Sequence, residues 1–128
     1  MDTISNMLVQ IKNSNNAGKA SVVVPFSNIK YAIAMLFERE KYVGSVVKKG
    51  KKLKKFIEID LVYDADAPRI RGVRRISKLS RRRYFSVADI VREKRALGTL
   101  VLSTPKGVLT GKDAVKEKTG GEALLRVW

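Results

Sequence analysis

The chain has 128 residues, 45% of them hydrophobic, with no cysteine and no histidine, and it carries 27 lysines and arginines against 12 acids for a net charge of +15. That is enough apolar material for one compact domain or two small halves. It excludes disulfides, thiolate metal sites, cysteine nucleophiles and the usual serine–histidine–aspartate triad, and it points to a polyanionic partner, nucleic acid ahead of an anionic membrane.

Ile4, Met7, Leu8 and Ile11 recur at helical spacing and predict a first helix. Asp2 or Thr3 suits its cap, and the turn formers of NSNNAGK stop it. The opening MDTISNMLVQIKN has neither a basic start nor a continuous apolar core, so it does not read as a secretory signal. No apolar run approaches the roughly 18 residues that a membrane span needs. SVVVP reads as a short strand ended by Pro25. Ser27 suits the cap of a second helix whose stripe is Ile29, Ile33, Leu36 and Phe37. YVGSVVKKGKKLKKFIEIDLVY predicts two strands around a lysine-rich turn centred on Gly50. In the second strand Ile57, Ile59, Leu61 and Tyr63 share one face, and Phe56, Glu58, Asp60 and Val62 the other. DADAP, residues 64–68, is the boundary between the halves.

RIRGVRRIS predicts a strand with arginines on both faces, which cannot lie buried on both sides. KLSRRRYF is a basic connection ending in two aromatics, and SVADIVREKRAL a short helix capped by Ser86. GTLVLS is apolar and predicts a central buried strand. TGKDAVKEK predicts a short helix capped by Thr110, and TGGEALLRVW a closing strand.

The charge is clustered. No acid lies between Asp66 and Asp89, where eight basic residues fall, and none between Glu40 and Glu58, where there are seven lysines. A single lysine is most simply a solvated side chain, but the clustered excess favours nucleic acid. Gly107, Gly111 and Lys112 do not make a phosphate loop, because only three residues separate the glycines and Asp113 follows the lysine. The carboxylate pairs Asp64/Asp66 and Glu58/Asp60 lie in a turn and on an outward strand face, where they offset local positive charge, so catalysis is not expected.

STPKG, at the end of the apolar strand, is the strongest binding candidate. Ser103 and Thr104 donate and accept hydrogen bonds, Lys106 supplies a charge for phosphate, and Gly107 lets backbone come close to a ligand. These groups suit the wide, shallow minor groove of structured RNA. From the residues alone, a tight strand-to-helix turn explains the stretch equally well. Tyr84, after Arg81, Arg82 and Arg83, can stack a base while the arginines hold phosphate.

The order of motifs resembles the bacterial-type family of small-subunit ribosomal protein eight. DTISNMLVQIKN looks like its first helix, RRIS followed by RRRY its middle signature, and LSTPKGVLT with GGEALLRVW its C-terminal signature. The resemblance covers essentially the whole chain. It implies an α+β fold of two small subdomains, residues 1–66 as α-β-α-β-β and residues 67–128 as mostly antiparallel β with short helices. It further implies direct binding to a helical element in the central domain of small-subunit ribosomal RNA, with ribosomal protein five among the neighbours. By motif match Ser103, Thr104, Lys106 and Gly107 would contact the RNA, Tyr84 and Glu122 would shape the site, and Lys12 and Asn13 would lie near the RNA backbone. Lys78, Arg81 and Arg82 complete the expected RNA-binding set. The chain departs from the family at Pro105, where serine is usual, at residues 78–80, at Asn6 and at Arg126. These departures suggest a divergent lineage.

The expected function is structural: an RNA-binding component of the small ribosomal subunit that supports its assembly. No enzyme, metal, cofactor, membrane or small-molecule substrate is expected, and the expected location is the ribosome of a bacterial cytoplasm or an organelle. An RNA-binding regulator of its own message is the alternative, and a basic protein–protein adaptor the third reading.

Overall fold

The computed structural model describes residues 2–93 and 98–128. It comprises two compact units, Met1–Ile70 and Arg71–Trp128.

In the first unit, α1 (Thr3–Asn16) starts where the Asp2 carboxylate accepts the Ile4 amide at 3.1 Å and the Ser5 hydroxyl at 2.9 Å. These bonds satisfy donors that a helix N-terminus leaves open. The helix buries Ile4, Met7, Leu8 and Ile11. α2 (Asn28–Arg39) is capped by the Ser27 hydroxyl, which accepts the Lys30 amide at 3.2 Å, and it buries Ile33, Leu36 and Phe37. Ile29 is only half-buried. The helices pack on one face of an antiparallel sheet ordered β1 (Ser21–Pro25), β3 (Lys54–Asp60), β2 (Val46–Lys51). Val22, Ile59 and Val46 align across the three strands and are buried together. Val23, Glu58 and Val47 form the adjacent row, on the opposite face.

Two details differ from the expectation. Gly50 lies inside β2, paired with Lys55, and the reversal falls on residues 52–53. Gly50 has φ +99, and a Cβ there would stand 2.0 Å from the Lys54 carbonyl oxygen, so glycine serves close approach within the hairpin. β3 stops at Asp60, and Tyr63 belongs instead to β4 (Tyr63–Asp64), paired with β5 (Ala67–Pro68). The Tyr63 hydroxyl donates to the Lys19 carbonyl at 2.6 Å, which takes it out of the expected apolar face.

The second unit is an antiparallel sheet ordered β6 (Val73–Arg75), β10 (Gly121–Val127), β8 (Thr99–Thr104), β9 (Gly107–Thr110), with β7 (Tyr84–Phe85) also on β10. β6 is an edge strand, which keeps Arg74 exposed, as the cost of burying arginine requires. β8 is central, with Leu100, Val101 and Leu102 buried. β7 and β9 were not expected. Residues 84–85 owe their extended form to pairing with β10, and Val108 and Leu109 to pairing with β8.

α3 (Val87–Arg92) carries a reciprocal cap: the Ser86 hydroxyl accepts the Asp89 amide and the Asp89 carboxylate accepts the Ser86 amide at 2.9 Å. Residues 94–97 of the predicted helical segment lie outside the described residues. α4 (Gly111–Lys116) is capped by Thr110, whose hydroxyl accepts the Asp113 amide at 3.1 Å. Ile90 of α3 and Ala114 of α4 close over Leu100, Leu102 and Ala123, a core on one face of the sheet. The fold is therefore α+β.

Candidate nucleic-acid interface

The STPKG stretch is a strand-to-strand turn. Thr104 pairs with Gly107, leaving Pro105 and Lys106 as the two-residue connection. Proline fixes φ near −65°, so the left-handed residue of the turn falls later, on Gly107 at φ +110. The Thr104 hydroxyl donates to the Gly107 carbonyl at 2.8 Å and accepts the Lys106 amide at 3.1 Å. Lys106 Nζ donates to the Glu117 carbonyl at 3.1 Å, at the C-terminal end of α4. Thr104 therefore ties the turn and Lys106 braces it against the helix. No hydrogen bond among the described residues uses the hydroxyl of Ser103.

Ser103 stands in a row that crosses the sheet. Glu122 pairs with Ser103 on one side and with Tyr84 on the other. Directly paired residues project to the same face. Leu102 and Ala123, one position along their strands, point into the helix-covered core, so Ser103, Glu122 and Tyr84 occupy the opposite face. Tyr84 is 69% exposed.

The middle of that row is held electrostatically. Ser77 is fully buried, and its hydroxyl donates to Glu122 Oε2 while accepting the Arg83 amide at 3.2 Å. Arg82 Nη1 donates to the same Oε2 at 3.0 Å. Burial alone would raise the Glu122 pKa, but the Ser77 and Arg82 hydrogen bonds and the charges of Arg82 and Arg75 outweigh it, holding the carboxyl below its ordinary range. Both described hydrogen bonds to this carboxylate go to Oε2.

Glycines allow this close assembly. A Cβ on Gly121 would lie 2.2 Å from the Ser103 carbonyl oxygen, and one on Gly120 would lie 2.3 Å from that of Phe85. Only bare backbone lets the start of β10 enter between β7 and β8.

The expected RNA-binding residues therefore divide. Ser103, Glu122, Tyr84 and Arg82 come together, with Thr104, Lys106 and Gly107 forming the adjoining turn. Lys78 and Arg81 exchange backbone hydrogen bonds of 3.0 Å and line a groove with Arg74 and Arg126. Lys12 and Asn13 are exposed on the later turns of α1, in the first unit. Sequence reasoning missed Ser77 as an organising residue. Its only signal was a lone serine ending the basic run RRIS. Glu58 pairs with Lys49 at 2.8 Å and Asp64 with Arg69 at 3.3 Å, so each offsets a neighbouring cation.

The family model for ribosomal protein S8 matches residues 2–128. The small ribosomal subunit protein uS8 of Chloroflexus aurantiacus is 43% identical over 130 residues, covering 99% of this chain and 97% of its own. Those of Vesicomyosocius okutanii and Persephonella marina are each 39% identical over 99% of this chain, covering 97% and 98% of their own lengths. The chain belongs to the ribosomal protein S8 family. It is a structural protein of the small ribosomal subunit and not an enzyme. No described helix is long and apolar enough to cross a membrane.

Proposed function

We propose that the chain binds directly to a helical element in the central domain of small-subunit ribosomal RNA and helps to fix that element's geometry during subunit assembly. The observation that carries this reading is the row Tyr84–Glu122–Ser103 on the sheet face opposite the core under α3 and α4, bordered by the braced turn at Thr104. An A-form minor groove is wide and shallow and displays 2′-hydroxyls and base edges. Ser103 and Tyr84 offer hydroxyls, and Glu122 offers an acceptor oxygen to a 2′-hydroxyl or amino group. Arg82 supplies positive charge beside them. The surrounding excess of lysine and arginine offsets phosphate repulsion without reading sequence. The setting is a bacterial or organellar ribosome, with protein five as the neighbour that the resemblance implies.

Filter binding against the central-domain helix and a random duplex of equal length tests the reading. With 6–10 phosphates contacted, affinity for both should fall by roughly 10³–10⁵ between 50 and 200 mM salt, the cognate helix staying tighter throughout. A nearly flat salt dependence, or equal binding of both RNAs, contradicts it.

A further inference from the structure

The second unit has another basic surface, on the other face of its sheet. Arg126 pairs in register with Leu100, whose side chain belongs to the core under α3 and α4, and Arg74 pairs with Arg126. Both arginines therefore project to the helix-covered face, opposite Ser103, Glu122 and Tyr84. There they help to line a groove of about 600 Å³. Among the described residues its six basic side chains, which also include Lys78, Arg81 and Arg83, face a single acid, Glu93. Glu93 contacts Arg126 at 3.6 Å. Among the described residues no acid pairs with Arg74, Lys78 or Arg81. The basic run is thus divided by its own geometry: Arg82 turns to Glu122, while Arg81 and Arg83 on either side of it turn to the groove.

Two aromatic rings complete the wall. Phe85 packs against the core and carries the Arg83 guanidinium 6.0 Å from its ring centroid. Trp128 is held by its amide, which donates to the Gly72 carbonyl at 3.0 Å, and by its carbonyl, which accepts the Arg71 amide at 2.7 Å. Gly72 backs the indole closely: a Cβ there would stand 2.5 Å from Cζ2. The indole is therefore fixed in the groove that Arg74, Lys78 and Arg81 also line. Phosphate-matching guanidinium forks beside a rigid aromatic face are the combination that holds single-stranded nucleic acid, the cations tracking the backbone and the ring stacking a base. Intact duplex keeps its bases stacked inside, whereas loops and bulges splay them out.

We propose that this groove binds a short single-stranded RNA segment, with phosphates on Arg74, Arg81 and Arg83 and one base stacked on Trp128. The inference rests on the RNA-binding reading above and adds a second site to it, so that one sheet holds helical RNA on one face and an unpaired segment on the other.

Trp128 is the only tryptophan in the chain, which makes it a local reporter. The intact protein is titrated with a short RNA of mixed sequence lacking self-complementarity, and separately with polyglutamate, while tryptophan fluorescence is followed. The RNA should quench Trp128 saturably and polyglutamate should not. Replacing the exposed Arg74 and Arg83 together (Arg74→Gln, Arg83→Gln) should weaken that binding about tenfold or more and lower the salt slope by about 1.4, two phosphates' worth on a single strand. Absence of quenching while the central-domain helix still binds overturns the groove site alone. Equal quenching by polyglutamate, or quenching that the double substitution leaves unchanged, also overturns it. Failure of both RNAs to bind overturns the underlying reading as well.

Discussion

The buried hydroxyl of Ser77 donates to Glu122 Oε2, and Arg82 reaches the same oxygen from the exposed side at 3.0 Å. One carboxylate thus joins the end of RRIS, the middle of the arginine run and the start of the last strand. Because these partners depress the Glu122 pKa below the 4.5 of an ordinary glutamate, its ionised form stabilises the fold. That contribution is complete above the unfolded value of 4.5 and is lost as pH falls through the lower folded value. Glu122→Gln should therefore be less stable near neutrality and should lose less on acidification. Urea melts at neutral pH and below pH 4.5 check this; an acid limb as steep in the variant as in the parent contradicts it.

Thr104 and Ser103 should respond differently to loss of their hydroxyls. Thr104→Ala removes the bonds to the Gly107 carbonyl and the Lys106 amide and should cost about 1 kcal/mol in chemical denaturation. Ser103→Ala should change stability by less than about 0.5 kcal/mol, since its hydroxyl ties no turn.

Gly121→Ala should act through the backbone. The new methyl would meet the Ser103 carbonyl at 2.2 Å, and β10 must shift to avoid it. A loss of about 1–3 kcal/mol or more in thermal melting is expected, together with weaker RNA binding, because Ser103 and Glu122 lose register. A variant that melts like the parent contradicts the tight strand entry.

Much of this arrangement is legible in the sequence where the cause is local. The caps at Asp2, Ser27, Ser86 and Thr110 stand at the helix starts their chemistry indicates, because capping depends on residues within one turn. What depends on distant pairing was hidden. Nothing in Tyr84–Phe85 distinguishes a strand from a loop until β10 lies beside it, and the same holds for β9 beside β8. The hairpin turn moved off Gly50 because positive φ is also useful inside a strand. For the site, the residue types in STPKG were readable, but their separate duties were not. Thr104 closes the turn, Lys106 braces it, and Ser103 faces outward only by virtue of its register with Glu122.

The β2–β3 hairpin should supply affinity without selectivity. Lys51, Lys52 and Lys54 are exposed around its reversal. Replacing all three by alanine should weaken binding to the cognate helix and to a random duplex by similar factors, as phosphate contacts carry little sequence information. Selective loss of the cognate helix in filter binding contradicts that division of labour.

The central claim is that the Tyr84–Glu122–Ser103 face reads a helical RNA. Its most direct test is Ser103→Ala, measured in parallel for thermal melting and for binding to the central-domain helix and a random duplex. The account predicts an unchanged melt, an unchanged salt slope and a loss of about 1–3 kcal/mol confined to the cognate helix, because an RNA group is left unpaired at a desolvated surface. A lowered melting temperature with undiminished discrimination between the two RNAs would contradict it and would make the stretch a turn and nothing more.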